Sequence, residues 1–183
     1  MSRLDHNRVV GMAAAELGIS AELIDKVIVW GNHSDTMVVD TAIAEVDGVP
    51  LERAFAEIGV DLTDFAHRIK TRGKHIIGLR GASSAASAAK AASDHMHDWT
   101  SVNHDSSWTS VAMPSYGEYD LPVGVFASMP VRYRPGGAAG KLAVVEGLTH
   151  PRKDHAIAEG IRATGQQLLD EKAELQRLGF LPS

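Results

Sequence analysis

Cysteine is absent from the chain, which excludes disulfides, thiolate metal ligands and a cysteine nucleophile. Long apolar runs are missing too, and no stretch approaches the ~20 residues that a membrane-spanning helix needs. Charge of one sign is not in excess: 18 basic against 23 acidic residues leave a net −5. The basic residues are scattered, so neither a nucleic-acid surface nor an anionic-membrane surface is expected. Met1-Ser2-Arg3-Leu4-Asp5-His6 contains no apolar h-region, so no secretory signal is read there and the cytoplasm is the expected location.

What is present is an ordinary globular composition, 44% hydrophobic and 22% charged over 183 residues. That length suits one domain with a good core, or at most two small ones. Apolar residues at 9, 10, 13, 14 and 17 predict an amphipathic helix over 5–17, ended by Gly18. Asp5 and Arg8, three apart, share one face of it and form at least a local ion pair. Ser20 caps a short turn into a β-branched run, Lys26–Trp30, that reads as a buried strand.

Gly31-Asn32-His33-Ser34-Asp35 follows at once as a tight polar turn. Met37–Val39 and Ala42–Val46 read as short strands, with Asp47-Gly48 as a turn. Pro50 starts a helix to Ile58. Asp61 caps a longer one to Leu79, with Ile69, Ile76 and Ile77 on its buried side. Gly81 breaks that helix, and Ser83 or Ser84 recaps an Ala/Ser-rich helix to Trp99, which is expected to pack tightly.

His95 and His97 diverge on that helix, and His104 adds no recognisable ligand spacing, so no metal site is expected. From Trp108 the period becomes two. Ser107–Met113, Val125–Arg132 and Lys141–Glu146 read as antiparallel strands, the last two joined by the Gly136–Gly140 turn. A final charged helix runs from Pro151 to Leu178. There are no repeats and no linker, and the class is α+β: long helices packed on a mostly antiparallel twisted sheet.

A histidine at the end of a buried strand, in a tight loop, is held rigidly yet open on one side. If Asp5 and Arg8 face His33 across a cleft, the three make a chemical set. A carboxylate beside imidazole fixes its tautomer and favours imidazolium, which can donate a proton to a carbonyl oxygen or take one back from a hydroxyl. A guanidinium can grip a substrate carboxylate through paired hydrogen bonds. The Gly31-Asn32-His33 triplet also echoes metallophosphoesterases, but the Asp-x-His and Gly-Asp-x-x-Asp motifs of that family are missing.

Leu4-Asp5-His6-Asn7-Arg8, Trp30-Gly31-Asn32-His33-Ser34 and the Arg80–Ala89 segment together resemble malate dehydrogenases of the cytosolic type, in the lactate/malate dehydrogenase superfamily. Their order and spacing agree, as do Tyr116–Pro122 and the charged final helix, so the resemblance spans essentially all of residues 1–183. It covers the C-terminal, substrate-binding half of that family and implies that half's fold. It further implies His33 as proton donor and acceptor, Asp5 as its carboxylate partner, Arg8 as the clamp on the substrate carboxylate, and Ser83 as a lining residue of the substrate pocket. Malate and oxaloacetate are the implied substrates and NAD the implied cofactor.

No residue of this sequence is assigned to the cofactor. A Gly-x-Gly-x-x-Gly after a strand, with its acidic ribose partner, does not occur, and Gly136–Gly140 lies in the wrong context. The family's mobile-loop arginines and its carbonyl-holding Asn are likewise missing, and Asp35–Val39 departs from the family pattern. The chain is therefore expected to be inactive without a nucleotide-binding half, and to associate as a homodimer, with such a half or with a relative. The alternative is a non-catalytic assembly module or relic that pairs with a full-length relative.

Overall fold

Helix α1 covers Ser2–Leu17, starting earlier than its apolar pattern because Ser2 and Leu4 are also buried. The computed structural model describes residues 2–100, 108–134 and 141–182. Three expected features, Ser107, His104 and the Gly136–Gly140 turn, lie outside the described residues. Gly18 ends α1 at φ +66°, a left-handed conformation that glycine adopts without steric cost.

The strand expected over 26–30 is shortened to 28–30, because the chain bends at Lys26, whose φ is 60°. Asp25 Oδ1 accepts the Lys26 N–H at 2.7 Å, and Lys26 Nζ donates to Glu45 Oε2 at 2.5 Å, which holds the bend. As a result β1 (Ile24–Asp25) pairs with β4 (Glu45–Val46), while β2 (Ile28–Trp30) pairs with β3 (Val38–Asp40), both antiparallel. Only the last two residues of the expected 42–46 strand are extended. The Ala42 N–H is taken by Asp40 Oδ1 at 3.1 Å and the Ala44 N–H by the Thr41 carbonyl at 3.0 Å, which curls the chain into a turn. Asp47-Gly48, with φ of 49° and 79°, closes the hairpin to β5 (Val49–Pro50) as its sequence predicts.

Helices α2 (Leu51–Glu57), α3 (Leu62–Arg80) and α4 (Ala85–Thr100) follow. Asp61 caps α3 by accepting the Asp64 N–H at 2.7 Å, and Gly81 ends it at φ 69°. Only the first half of α3 is packed: Phe65 and Ile69 are buried, while Ile77, expected inside, is 47% exposed. In α4 only Ala91 is buried, so its small-residue face is open rather than tightly packed.

Strands β6 (Thr109–Pro114), β7 (Phe126–Arg134) and β8 (Lys141–Val144) form an antiparallel meander, with Ala112 opposite Ser128. The single helix expected over 151–178 is two. α5 (His150–Lys153) ends at Asp154, whose extended backbone breaks the axis, and its side chain then caps α6 (His155–Arg177) by accepting from Ala156 and Ile157. The whole is the expected arrangement of helices on antiparallel sheet.

β2 lies between two apolar cores, and its alternation serves both. Val27 and Val29 join Val9, Ala13, Leu51, Phe55, Phe65 and Ile69. Ile28 and Trp30 join Met129, Val131, Ile157 and Ile161. Trp30 Nε1 donates to the buried Asp40 at 2.8 Å, and the same oxygen pairs with His150 Nε2 at 2.9 Å. Side chains on the meander also grip the β2 backbone. Ser110 Oγ accepts the Val29 N–H at 2.9 Å and Ser128 Oγ donates to the Val29 carbonyl at 2.6 Å. Gly31 and Ser128 exchange two further backbone bonds. The strand that leads into His33 is thereby fixed on both faces and both edges.

Candidate active site

Asp5 comes from the first turns of α1, and its side chain is 1% exposed. Its Oδ2 lies 2.6 Å from His33 Nδ1, and its Oδ1 accepts from Arg8 Nη1 at 3.3 Å. One buried carboxylate thus touches both other members of the predicted set. An ionised carboxylate only accepts, so the bond requires the proton on Nδ1 of His33. That leaves Nε2 as the ring nitrogen without this bond, and the His33 side chain is 41% exposed. Among the described residues Arg8 makes no other hydrogen bond, so most of its guanidinium donors remain for a ligand. Gly73 of α3 faces it: a Cβ there would stand 3.4 Å from Nη2.

Helix α1 is held at this register by the next residue. His6 is buried, and its Nδ1 accepts the Ser110 N–H at 3.3 Å. Burial, helped by the positive charge of Arg3, pushes the His6 pKa down to about 3, so the ring is a neutral acceptor. Because Ser110 also binds Val29, α1, β2 and β6 meet at this point. The helix that carries Asp5 and the strand that leads to His33 therefore share one anchor.

At Gly31 the chain turns with φ +83°, and any Cβ would lie 2.0 Å from Thr164 Cγ2. Glycine meets both demands, the left-handed backbone and the close approach of α6. Beyond it, the Asn32 N–H donates to Thr164 Oγ1 at 2.8 Å.

Ser83 stands apart from the set. It is exposed in the short stretch between α3 and α4, and among the described residues no hydrogen bond joins it to Asp5, Arg8 or His33. A cavity of about 720 Å³ lies on the opposite face of α1, lined by Arg3, His6, Asn7 and Val10 among others, and it contains none of the predicted residues. His6, Ser110, Ser128 and Thr164 were not legible as partners of this site. Each is a single polar residue in an apolar pattern, and nothing in sequence marks what it meets.

The fold thus brings a helix-borne Asp and Arg to a loop histidine on a scaffold of helices and antiparallel sheet. Residues 2–177 match the lactate/malate dehydrogenase, alpha/beta C-terminal domain, and the chain belongs to that family.

It is 40% identical to a malate dehydrogenase of Rhodococcus jostii over 99% of this chain and 53% of the relative, and equally so to that of Rhodococcus opacus. Among solved structures, malate dehydrogenase from Naegleria fowleri aligns with a TM-score of 0.81 and 38% identity, covering 97% of this chain and 53% of that one. Lactate dehydrogenase of Trichomonas vaginalis, in complex with NADH and oxamate, aligns with a TM-score of 0.84 and 29% identity, covering 99% and 55%. The chain spans about half the length of the curated relatives it matches. No helix among the described residues is long and apolar enough to cross a membrane.

Proposed function

We propose that this chain supplies the proton-transfer and carboxylate-binding half of an NAD-dependent malate dehydrogenase. The observation that carries the reading is the shared contact of Asp5 with His33 and Arg8. Asp5 orients the ring through its bond to Nδ1. Nε2 of His33 then gives a proton to the carbonyl oxygen of a 2-oxo acid as that oxygen becomes a hydroxyl, and takes it back in the reverse direction. Arg8 holds the substrate carboxylate by its planar fork, and Ser83 lines the pocket when the site is complete. NAD supplies hydride transfer when bound.

The residues present do not form a site for the nucleotide itself. Every strand pair among the described residues is antiparallel, whereas the dinucleotide fold needs a parallel βαβ unit with its glycine-rich turn. The steps assigned here are accordingly limited to proton transfer and carboxylate binding.

Association with a nucleotide-binding half, or with a second copy, belongs to the same reading. Apolar side chains are exposed near the C-terminal ends of α3 and α4: Leu79 is 71% exposed, and Ile77, Met96 and Trp99 are each about half exposed. Such a stretch marks an interaction surface. The same surface suits the alternative of an assembly module without catalysis.

Mixing the chain with the nucleotide-binding half of a relative, and following NADH oxidation by oxaloacetate, tests the reading. Turnover that disappears in His33→Ala supports it. Stable association of the two halves without turnover would favour the assembly module instead.

A further inference from the structure

Beyond Gly31, the Asp5 bond to His33 is what ties this loop to α1, and β2 ends before it. Residues 32–36 contain no regular strand or helix, and His33 itself is tied down only through the Asp5 bond. Yet the loop is gripped from the other side, by α6. Asn32 Nδ2, Ser34 Oγ and Thr36 Oγ1 all donate to one atom, Gln167 Oε1, at 3.2, 2.6 and 2.5 Å. Thr164, one turn earlier on the same helix face, accepts from the Asn32 backbone at 2.8 Å, and its Oγ1 lies 3.0 Å from Thr36 Oγ1. Asn32 Nδ2 also reaches Glu171 at 2.8 Å. The residues on both sides of His33 therefore share the Gln167 oxygen as an acceptor, with Asp35 also paired to Lys74 of α3, and the histidine between them faces Asp5.

We propose that Gln167, backed by Thr164, is the positioning residue of this site, holding the 32–36 loop so that His33 stays on Asp5. Gln167 is on the last helix, more than 130 positions from the loop, and it touches neither His33 nor a substrate. The inference rests on the proton-transfer reading above, since positioning matters only if His33 exchanges protons. All three loop contacts use Gln167 as an acceptor. The chemistry required at this position is hence an oxygen at that reach, not an amide as such. Glutamate keeps the oxygen; methionine keeps the length and loses it. A mispositioned proton donor costs rate even when substrate still binds, because binding and proton transfer depend on different atoms, Arg8 and His33.

The test is proton NMR on the chain itself, which needs neither cofactor nor turnover. The His33 Nδ1–H, bonded to a buried carboxylate, gives a downfield proton signal, identified by its loss in His33→Gln. In Gln167→Met that signal is expected to exchange with water at least about tenfold faster, or to vanish, while amide signals outside 31–36 and 164–171 stay in place. Gln167→Glu restores it. Ser34→Ala, which removes one donor without touching α6, is expected to produce a smaller acceleration of the same kind.

In the reconstituted enzyme Gln167→Met lowers kcat about tenfold with the KM for oxaloacetate unchanged. An unchanged His33 signal in Gln167→Met, or equal loss of it in Gln167→Met and Gln167→Glu, overturns the proposal. Absence of turnover in the reconstituted wild type, with the NMR response intact, would instead overturn the catalytic reading and leave the positioning geometry standing.

Discussion

Asp5 and His33 are 28 positions apart in sequence and 2.6 Å apart in space. The carboxylate is buried and the imidazole is half open, an asymmetry that suits proton transfer. The carboxylate is shielded from water, and the ring remains reachable.

Replacing Asp5 with Asn keeps the shape and removes the charge. The amide can then present either its NH2 or its oxygen to Nδ1, so neither the tautomer nor the imidazolium is favoured. Turnover of the reconstituted enzyme should fall about 10³-fold, within the range general acid–base groups contribute. Urea denaturation should show a change in stability of about 1 kcal/mol or less, because the isosteric amide still bonds its neighbours.

Arg8→Lys retains the positive charge and loses the planar fork. Substrate would then be held by a point charge in place of paired parallel bonds. The expected result is a rise in KM for oxaloacetate of about tenfold or more, equivalent to about 1.4 kcal/mol, with kcat reduced less. Steady-state kinetics of the reconstituted enzyme checks the split.

Gly31→Ala meets two penalties at once. A non-glycine residue at φ +83° is strained, and its Cβ would overlap Thr164 Cγ2 at 2.0 Å. Left-handed strain and overpacking together should cost about 3 kcal/mol. The urea midpoint should drop accordingly, and the His33 loop should be the first region to lose hydrogen-exchange protection.

His6 gives the protein an acid limit. Its folded pKa, about 3, lies below the ordinary value of 6.5, so the unfolded chain binds the extra proton first. Its contribution is therefore fully present above pH 6.5 and is lost as pH falls from there toward 3. At pH 5 the loss from this residue is about 2 kcal/mol. Chemical denaturation at pH 7 and pH 5 should show a smaller difference in His6→Gln, which offers an acceptor to Ser110 and takes up no proton.

The sequence by itself determined the class, the end of α1 at Gly18, the Asp47-Gly48 and Gly81 turns, the meander after residue 108, and the choice of Asp5, Arg8 and His33, which the fold brings into contact. These are local properties, or a family pattern carried by short contiguous motifs. Only the tertiary structure decided the rest.

Lys26 shortens a run that reads as one strand, because its side chain and that of Asp25 find partners that bend the backbone. Asp154 divides the last helix because its backbone is extended and its side chain caps the new start by accepting from Ala156 and Ile157. Ile77 follows the apolar period of α3, yet that half of the helix has no neighbour to bury it. The supports of the site, His6 with Ser110 and Thr164 with Gln167, lie more than a hundred positions from the residues they hold. A hydrogen bond between distant side chains leaves no periodicity in the sequence, so these partners become visible only when the chain is folded.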